Sequence, residues 1–193
     1  MDNPIKAKEY KGYEIKVFYD EDFNSSECLE DILGRLVCSH REYNLGNERA
    51  RNTGLYSSWE EWLEEEVLKP NKRQVVYLPL YLYDHSGITM STTPFRCRWD
   101  SGQVGYIYAT KDEIRKRYNV KRCTKKVIED VLVDFRTTIK EYDSYLRGDV
   151  YGFEITKPGD DEVIDSIWGY VGDMDYVITE AEGIIDEIVK EVA

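Results

Sequence analysis

The chain has 193 residues and a net charge of −12 at pH 7, with 38 acidic and 26 basic residues. An aromatic content of 13% exceeds that of disordered chains, and the length suits one domain, so we predict a single globular domain over residues 1–193. No apolar run approaches the roughly 18 residues of a membrane span. The first residues also lack a signal-peptide core, so we expect a cytoplasmic protein that does not contact membranes.

The first part of the chain mixes strand and helix patterns. Residues 13–19 alternate between apolar and polar side chains, which predicts a half-buried strand. The apolar spacing over residues 28–40 predicts a helix. Ser58 and Glu61 form a capping-box pattern, which predicts a short helix that ends near Leu68. Further strand patterns, rich in aromatic and β-branched residues, lie at residues 75–83, 88–91 and 104–109.

From residue 110 onward the sequence predicts a short capped helix, a long helix, two strands and a C-terminal helix. Thr110 and Glu113 form a second capping box, and the helix that they open ends near Tyr118. A long helix is predicted at about 124–146, strands at 150–156 and 163–170, and a C-terminal helix at about 175–192. Strands that come in adjacent pairs indicate an α+β fold with a mainly antiparallel sheet.

The C-terminal quarter is strongly acidic, because residues 149–193 contain 13 acidic and 2 basic residues. Such an array of carboxylates can imitate the phosphate spacing of duplex DNA, which carries one negative charge per about 1.7 Å. It predicts a protein partner with a basic, nucleic-acid-binding groove, although acidic residues also serve solubility alone. The predicted acidic face consists of Asp173, Asp175, Glu180, Glu182, Asp186, Glu187 and Glu191.

Histidine chemistry has few candidates, because the chain contains only two histidines. A predicted polar site consists of His40, Asp84, His85, Cys97, Trp99 and Asp100. One alternative function is a small hydrolase or metalloprotein that uses His40 and His85 with Cys38 and Cys97. These four residues lack the spacing of known zinc or nucleophile motifs, and a histidine in a polar turn is the plainer interpretation.

A basic run forms a third candidate surface. Its residues are Arg115, Lys116, Arg117, Lys121, Arg122, Lys125 and Lys126. They suit phosphate contacts, so direct nucleic-acid binding is a second alternative, although the net charge of the chain opposes it. The sequence contains no phosphate loop, nucleophile elbow or zinc-protease motif. We therefore expect no cofactor, no bound metal and no catalytic residue.

Three motifs in the sequence resemble those of a family of small proteins encoded by phages and integrated elements of Gram-positive bacteria. The motifs are the stretch from Leu33 to Gly46 with Cys38 and His40, the stretch from Leu78 to Gly87 that ends in DHSG, and the stretch from Trp99 to Tyr108 that contains WDSGQVG. A further stretch at residues 142–152 also resembles the family, and the resemblance covers roughly residues 13–170. The family has a proline-arginine-tryptophan stretch where this chain has Ser25–Glu30.

The resemblance supplies a biological context but no catalytic residues, because the family has no assigned activity. Small acidic phage proteins often bind host machinery, and defence nucleases are frequent targets. The resemblance therefore implies a phage-type accessory protein in the cytoplasm of a bacterial host. It is expected to inhibit a host defence enzyme that targets nucleic acid, as anti-CRISPR and anti-restriction proteins do, with possible mimicry of DNA.

Overall fold

Two sheets organise the chain, which the computed structural model describes over residues 3–72, 74–160 and 162–192. Contacts within the chain divide it into two compact units. The terminal unit joins Met1–Asn24 to Gly148–Ala193, and the central unit is Ser25–Arg147. Each unit has its own sheet and its own core, and the prediction of one domain over residues 1–193 stays a prediction.

The described residues form nine strands and five α-helices. The strands are β1 (Lys6–Tyr10), β2 (Tyr13–Tyr19), β3 (Arg35–Cys38), β4 (Glu48–Arg49), β5 (Val75–Asp84), β6 (Ile88–Ser91), β7 (Ser101–Thr110), β8 (Val150–Thr156) and β9 (Val163–Val171). The helices are α1 (Ser25–Cys28), α2 (Trp59–Trp62), α3 (Lys111–Arg117), α4 (Lys125–Leu146) and α5 (Met174–Val192). A π-helical stretch, Leu63–Leu68, continues α2, and Thr53–Leu55 is a 3₁₀ turn.

In the terminal unit, an antiparallel sheet of order β1-β2-β8-β9 buries one face against α5. Alternation along β2 directs Ile15 and Val17 into this core, and Phe153 and Ile155 of β8 do the same. The helix contributes its apolar stripe, which consists of Val177, Ile178, Ala181 and Ile185. The opposite sheet face therefore carries the alternate residues of β2 and β8.

In the central unit, a sheet of order β4-β3-β7-β5-β6 is covered on both faces. Leu36 and Ile107 join a core with α4, whose buried residues are Val131, Phe135, Ile139 and Tyr142. Val37 and Tyr106, which alternate with them, pack against Trp62 on the other face. Among the described strand pairs, β3–β4 is parallel and the others are antiparallel.

The predicted helix over residues 28–40 is wrong. Helix α1 ends at Cys28, the first residue of this stretch, and the strand β3 lies within it. Gly34 has a φ of 90°, and a Cβ there would collide with the carbonyl group of Tyr108, so helical backbone is interrupted at this residue. Pairing of β3 with β7 then decides its conformation, because the apolar spacing alone is compatible with either structure.

The α+β class, the long helix and the C-terminal helix are confirmed. The long helix was predicted at about 124–146 and is Lys125–Leu146; the C-terminal helix was predicted at about 175–192 and is Met174–Val192. The capping box of Thr110 and Glu113 is also present. The expected mainly antiparallel sheet is divided into two sheets. Within the described parts of the chain, no helix has both the length and the apolar character needed to cross a bilayer.

Candidate functional site

Net charge distinguishes the two units. The terminal unit carries 19 acidic and 6 basic residues, a net charge of −13, whereas the central unit carries 19 acidic and 20 basic residues, a net charge of +1. The negative excess of the chain therefore belongs to the terminal unit. The field of such a surface extends about 8 Å into solvent at physiological ionic strength, far enough to attract a basic partner.

A row of three ion pairs joins β1 and the following turn to α5. The pairs are Lys6 with Asp175 (2.9 Å between Nζ and Oδ1), Lys8 with Glu182, and Lys11 with Asp186 (2.7 Å between Nζ and Oδ1). Lys6 and Lys8 face the helix together because residues two apart on a strand share a face. Three of the seven carboxylates in the predicted acidic face are therefore locally neutralised.

Two of these carboxyl groups are held in the ionised form. The hydrogen bond from Lys6, and then its positive charge, lower the pKa of Asp175. The hydrogen bond from Lys11 lowers the pKa of Asp186 in the same way and outweighs the opposing effect of burial. Both carboxylates are charged at neutral pH, but each has an ammonium group beside it.

The other predicted carboxylates of this face differ in their surroundings. Asp173 accepts a hydrogen bond from the backbone N–H of Asp175 at 2.9 Å, which stabilises the first turn of α5. Glu180 accepts from the Tyr176 hydroxyl, and this bond raises the pKa of that phenol. Glu187 and Glu191 are exposed and have no ion pair with any described residue.

The sheet face opposite α5 contains a pocket of about 450 Å³, which we call the open-face pocket. The Trp168 ring lies directly over the backbone of Gly152, where a Cβ would collide with it. Phe18 stacks on the indole with ring centroids 6.1 Å apart and an interplanar angle of 29°. Because Trp168 remains 45% exposed, the pocket offers a flat aromatic surface to a ligand.

Charged side chains also line the open-face pocket. Glu21 and Glu154 have no ion pair with any described residue. Lys16 occupies the position of β2 that pairs with Glu154, but its Nζ lies 3.6 Å from Glu14 Oε2. The lining therefore contains two free carboxylates and one ammonium group that is already paired.

Thr156 closes one side of the open-face pocket at the end of β8. It is 1% exposed, and its Oγ1 makes no hydrogen bond with any described residue. Leaving a buried hydroxyl without a partner costs about 1–3 kcal/mol.

In the central unit, His40 belongs to a hydrogen-bonded turn. Its Nδ1 accepts from the backbone N–H groups of Glu42 and Tyr43, both at 3.3 Å. The imidazole stacks on Tyr43 with centroids 5.0 Å apart, and the Tyr43 hydroxyl donates to Asp84 Oδ1 at 3.2 Å. His40 therefore has the structural role of a polar turn residue, and it links this turn to the end of β5.

Asp100 connects the other members of the predicted polar site. His85 Nδ1 lies 3.6 Å from Asp100 Oδ2, and Cys97 Sγ donates to the same oxygen at 3.4 Å. A cavity of about 620 Å³ is lined by four of the six predicted residues, His40, Asp84, Trp99 and Asp100. Trp99 is 96% exposed. The structure thus brings most of the predicted polar residues together, with His85 and Cys97 connected through Asp100.

The alternative of a hydrolase or metalloprotein stays a prediction, and two observations bear on parts of it. Among the described residues, no group of three or more His, Cys, Asp or Glu side chains is placed to hold a metal ion, so the set of His40, His85, Cys38 and Cys97 is not formed. Burial raises the pKa of Cys38 to about 12. Its thiol is neutral at pH 7, and a neutral thiol is a poor nucleophile.

The basic run is partly used within the central unit. Its paired members are Arg115 with Asp112, Arg117 with Asp31 (2.9 Å), and Lys125 with Glu129 (3.8 Å). Lys116, Lys121, Arg122 and Lys126 are exposed and have no ion pair with any described residue. Direct contact of this run with nucleic acid stays a prediction.

Sequence reasoning missed the open-face pocket. Alternation predicts that Lys16 and Phe18 share a face of β2, and that Gly152, Glu154 and Thr156 share a face of β8. This signal was present, but local patterns do not show that the two strands are neighbours. Only their pairing, Lys16 with Glu154 and Phe18 with Gly152, brings these faces together.

Comparisons with protein-family models, with curated protein sequences and with solved structures found no match. The resemblance to a phage protein family therefore stays a prediction.

The ion pair between Lys11 and Asp186 predicts a specific change in titration. In Lys11→Gln, the pKa of Asp186 should rise toward its ordinary value, because the hydrogen bond and the nearby positive charge are lost. Since the folded pKa is depressed, the pair stabilises the fold above the unfolded pKa of aspartate, and this contribution is lost as pH falls through the folded pKa. Carboxyl ¹³C NMR measures the shift.

The matched control is Lys6→Gln, which should raise the pKa of Asp175 and leave that of Asp186 unchanged. Identical Asp186 titrations in the wild type and Lys11→Gln would contradict the pairing.

Because the Thr156 hydroxyl has no hydrogen-bond partner among the described residues, we predict that Thr156→Val stabilises the protein. Valine keeps the shape and the strand preference of threonine but removes the unpartnered oxygen, so the free energy of unfolding should rise by about 1 kcal/mol. Urea denaturation at neutral pH measures it. Thr156→Ser is the control, because it keeps the hydroxyl and loses the methyl group, and it should be less stable than the wild type. A less stable Thr156→Val would show that the hydroxyl has a partner.

Proposed function

We propose that the protein acts by binding and that it is an acidic inhibitor of a host enzyme that targets nucleic acid, of the anti-CRISPR or anti-restriction type. The observation that carries this proposal is the separation of charge, with −13 in the terminal unit and +1 in the central unit. A basic protein groove that accepts nucleic acid is the complementary surface.

The ion pairs of the terminal unit do not remove this attraction. Lys6, Lys8 and Lys11 are already included in the six bases of the unit, so −13 is the charge that remains after pairing. The ion pairs change only where a partner would meet free charge. The free charges are distributed over the terminal unit, and only part of them lies on α5.

A binding role also agrees with the state of the reactive side chains. Cys38 is a buried neutral thiol, and His40 uses Nδ1 to stabilise its own turn. The resemblance to phage-encoded proteins supports a setting in which a small acidic protein blocks host defence. Electrostatic attraction of this kind increases association rates most strongly at low salt.

The proposal predicts capture of a nucleic-acid enzyme in competition with DNA. Immobilised protein should retain a basic defence enzyme from a lysate of a Gram-positive bacterium with an active CRISPR or restriction system. Added duplex DNA and rising salt should each release that enzyme, because both compete for the same basic groove. Expression of the protein in the same host should raise the plating efficiency of a targeted phage.

A gel shift with the protein and duplex DNA alone is the control, and it should show no retention. If DNA binds the protein itself, or if plating is unchanged and no captured protein is displaced by DNA, the proposal is wrong.

Free carboxylates of the terminal unit should set the rate of association with the captured enzyme. Glu187→Gln/Glu191→Gln should lower the association rate by roughly threefold at low salt and reduce its salt dependence, because local charge steers the encounter. Surface plasmon resonance at several salt concentrations measures both quantities.

The matched control is Glu30→Gln/Glu60→Gln, which changes the net charge equally but lies in the central unit. Its association rate should stay close to that of the wild type. Equal effects of the two double variants would show that total charge, and not the terminal unit, governs binding.

A further inference from the structure

The open-face pocket combines three groups that suit one kind of ligand. The Trp168 side chain is 45% exposed, lies over the Gly152 backbone and stacks with Phe18. An aromatic face of this kind attracts cations, and a planar guanidinium also stacks on it. The aromatic surface therefore favours a flat cation.

The charges of the pocket favour the same ligand. Glu21 and Glu154 line it and have no ion pair with any described residue, whereas Lys16 is paired with Glu14. Free carboxylates repel phosphate groups, so a nucleotide would stack on Trp168 only against this repulsion. A guanidinium can stack on the ring and form hydrogen bonds to a carboxylate at the same time.

The third group is the buried hydroxyl of Thr156. Thr156 belongs to the lining of the pocket and is almost completely buried, and its Oγ1 has no partner among the described residues. Arginine has five N–H donors in a rigid planar arrangement, so one side chain has enough donors for both a carboxylate and this hydroxyl oxygen. A lysine ammonium has three donors but no flat surface to stack on the indole.

We propose that the open-face pocket binds an arginine side chain of the basic protein partner. This inference rests on the proposed function, and it names the contact through which the terminal unit holds its partner. A second copy of the chain is a poor occupant, because two terminal units with a net charge of −13 each repel one another. Arginine is also the side chain that basic grooves use most for phosphate, so its capture would occupy a residue that the nucleic acid needs.

A blocked peptide with one arginine between glycines is the direct probe. Its twins carry lysine, or citrulline, the neutral analogue of arginine with nearly the same shape. Binding is followed by the Trp168 indole N–H in ¹H–¹⁵N NMR spectra of the full chain, with the resonance assigned by its loss in Trp168→Leu. The arginine peptide should bind at least about fivefold more tightly than either twin, because only it combines charge with a planar fork.

Variants test which side chains of the open-face pocket bind the arginine peptide. Trp168→Leu should abolish detectable binding of the arginine peptide by calorimetry, and Thr156→Val should weaken it by roughly threefold through loss of one hydrogen bond. Trp99→Leu is the matched control, because it removes an exposed tryptophan of the central unit and should leave binding unchanged. Thermal unfolding of each variant confirms that it is folded.

The two proposals fail in different ways. If the arginine peptide binds no better than the lysine or citrulline peptide, or if Trp168→Leu binds it like the wild type, the arginine pocket is wrong. Capture of a basic enzyme that DNA displaces would then still support the proposed function. If the pocket binds arginine as expected but no such enzyme is captured, the pocket stands and the inhibitory function fails.

Discussion

Packing of α5 on the β2–β8 face determines what the terminal unit can present to a partner. Ile15 and Phe153 meet the helix stripe of Val177, Ala181 and Ile185, all of them at most 1% exposed. Burial of the isoleucine, valine and phenylalanine side chains among them contributes on the order of 1.5–3 kcal/mol each. Because one sheet face is committed to the helix, the alternate residues of the same strands form an open face, and the open-face pocket is a direct consequence.

The row of lysines on and after β1 explains how so acidic a unit accommodates its helix. Helix α5 brings many carboxylates close to the sheet, and their mutual repulsion opposes docking. Lys6, Lys8 and Lys11 offset this repulsion at three points along the helix. The pairs are largely exposed, so each adds little to stability by itself, but together they determine which carboxylates stay free.

The division of charge and the open-face pocket bear on the same proposed partner at different distances. Charge acts at long range and favours approach of a basic surface, without selecting particular groups on it. The pocket acts at short range, where an indole face, free carboxylates and a buried hydroxyl distinguish one cation from another. The polar cluster around Asp100 is a different kind of feature, because its hydrogen bonds mainly stabilise turns at the strand ends of the central unit.

Local patterns in the sequence determined the α+β fold class, the two long helices and the uneven charge, because caps, periodicity and composition depend on near neighbours. They did not determine that residues 35–38 form a strand, since an apolar spacing that fits a helix yielded to pairing with β7. They also did not determine that Lys6 meets Asp175, which is 169 residues away along the chain, or that Thr156 lacks a partner beside Trp168. Only the tertiary structure decided these contacts, because they arise when β2 pairs with β8 and α5 packs on one face of the resulting sheet.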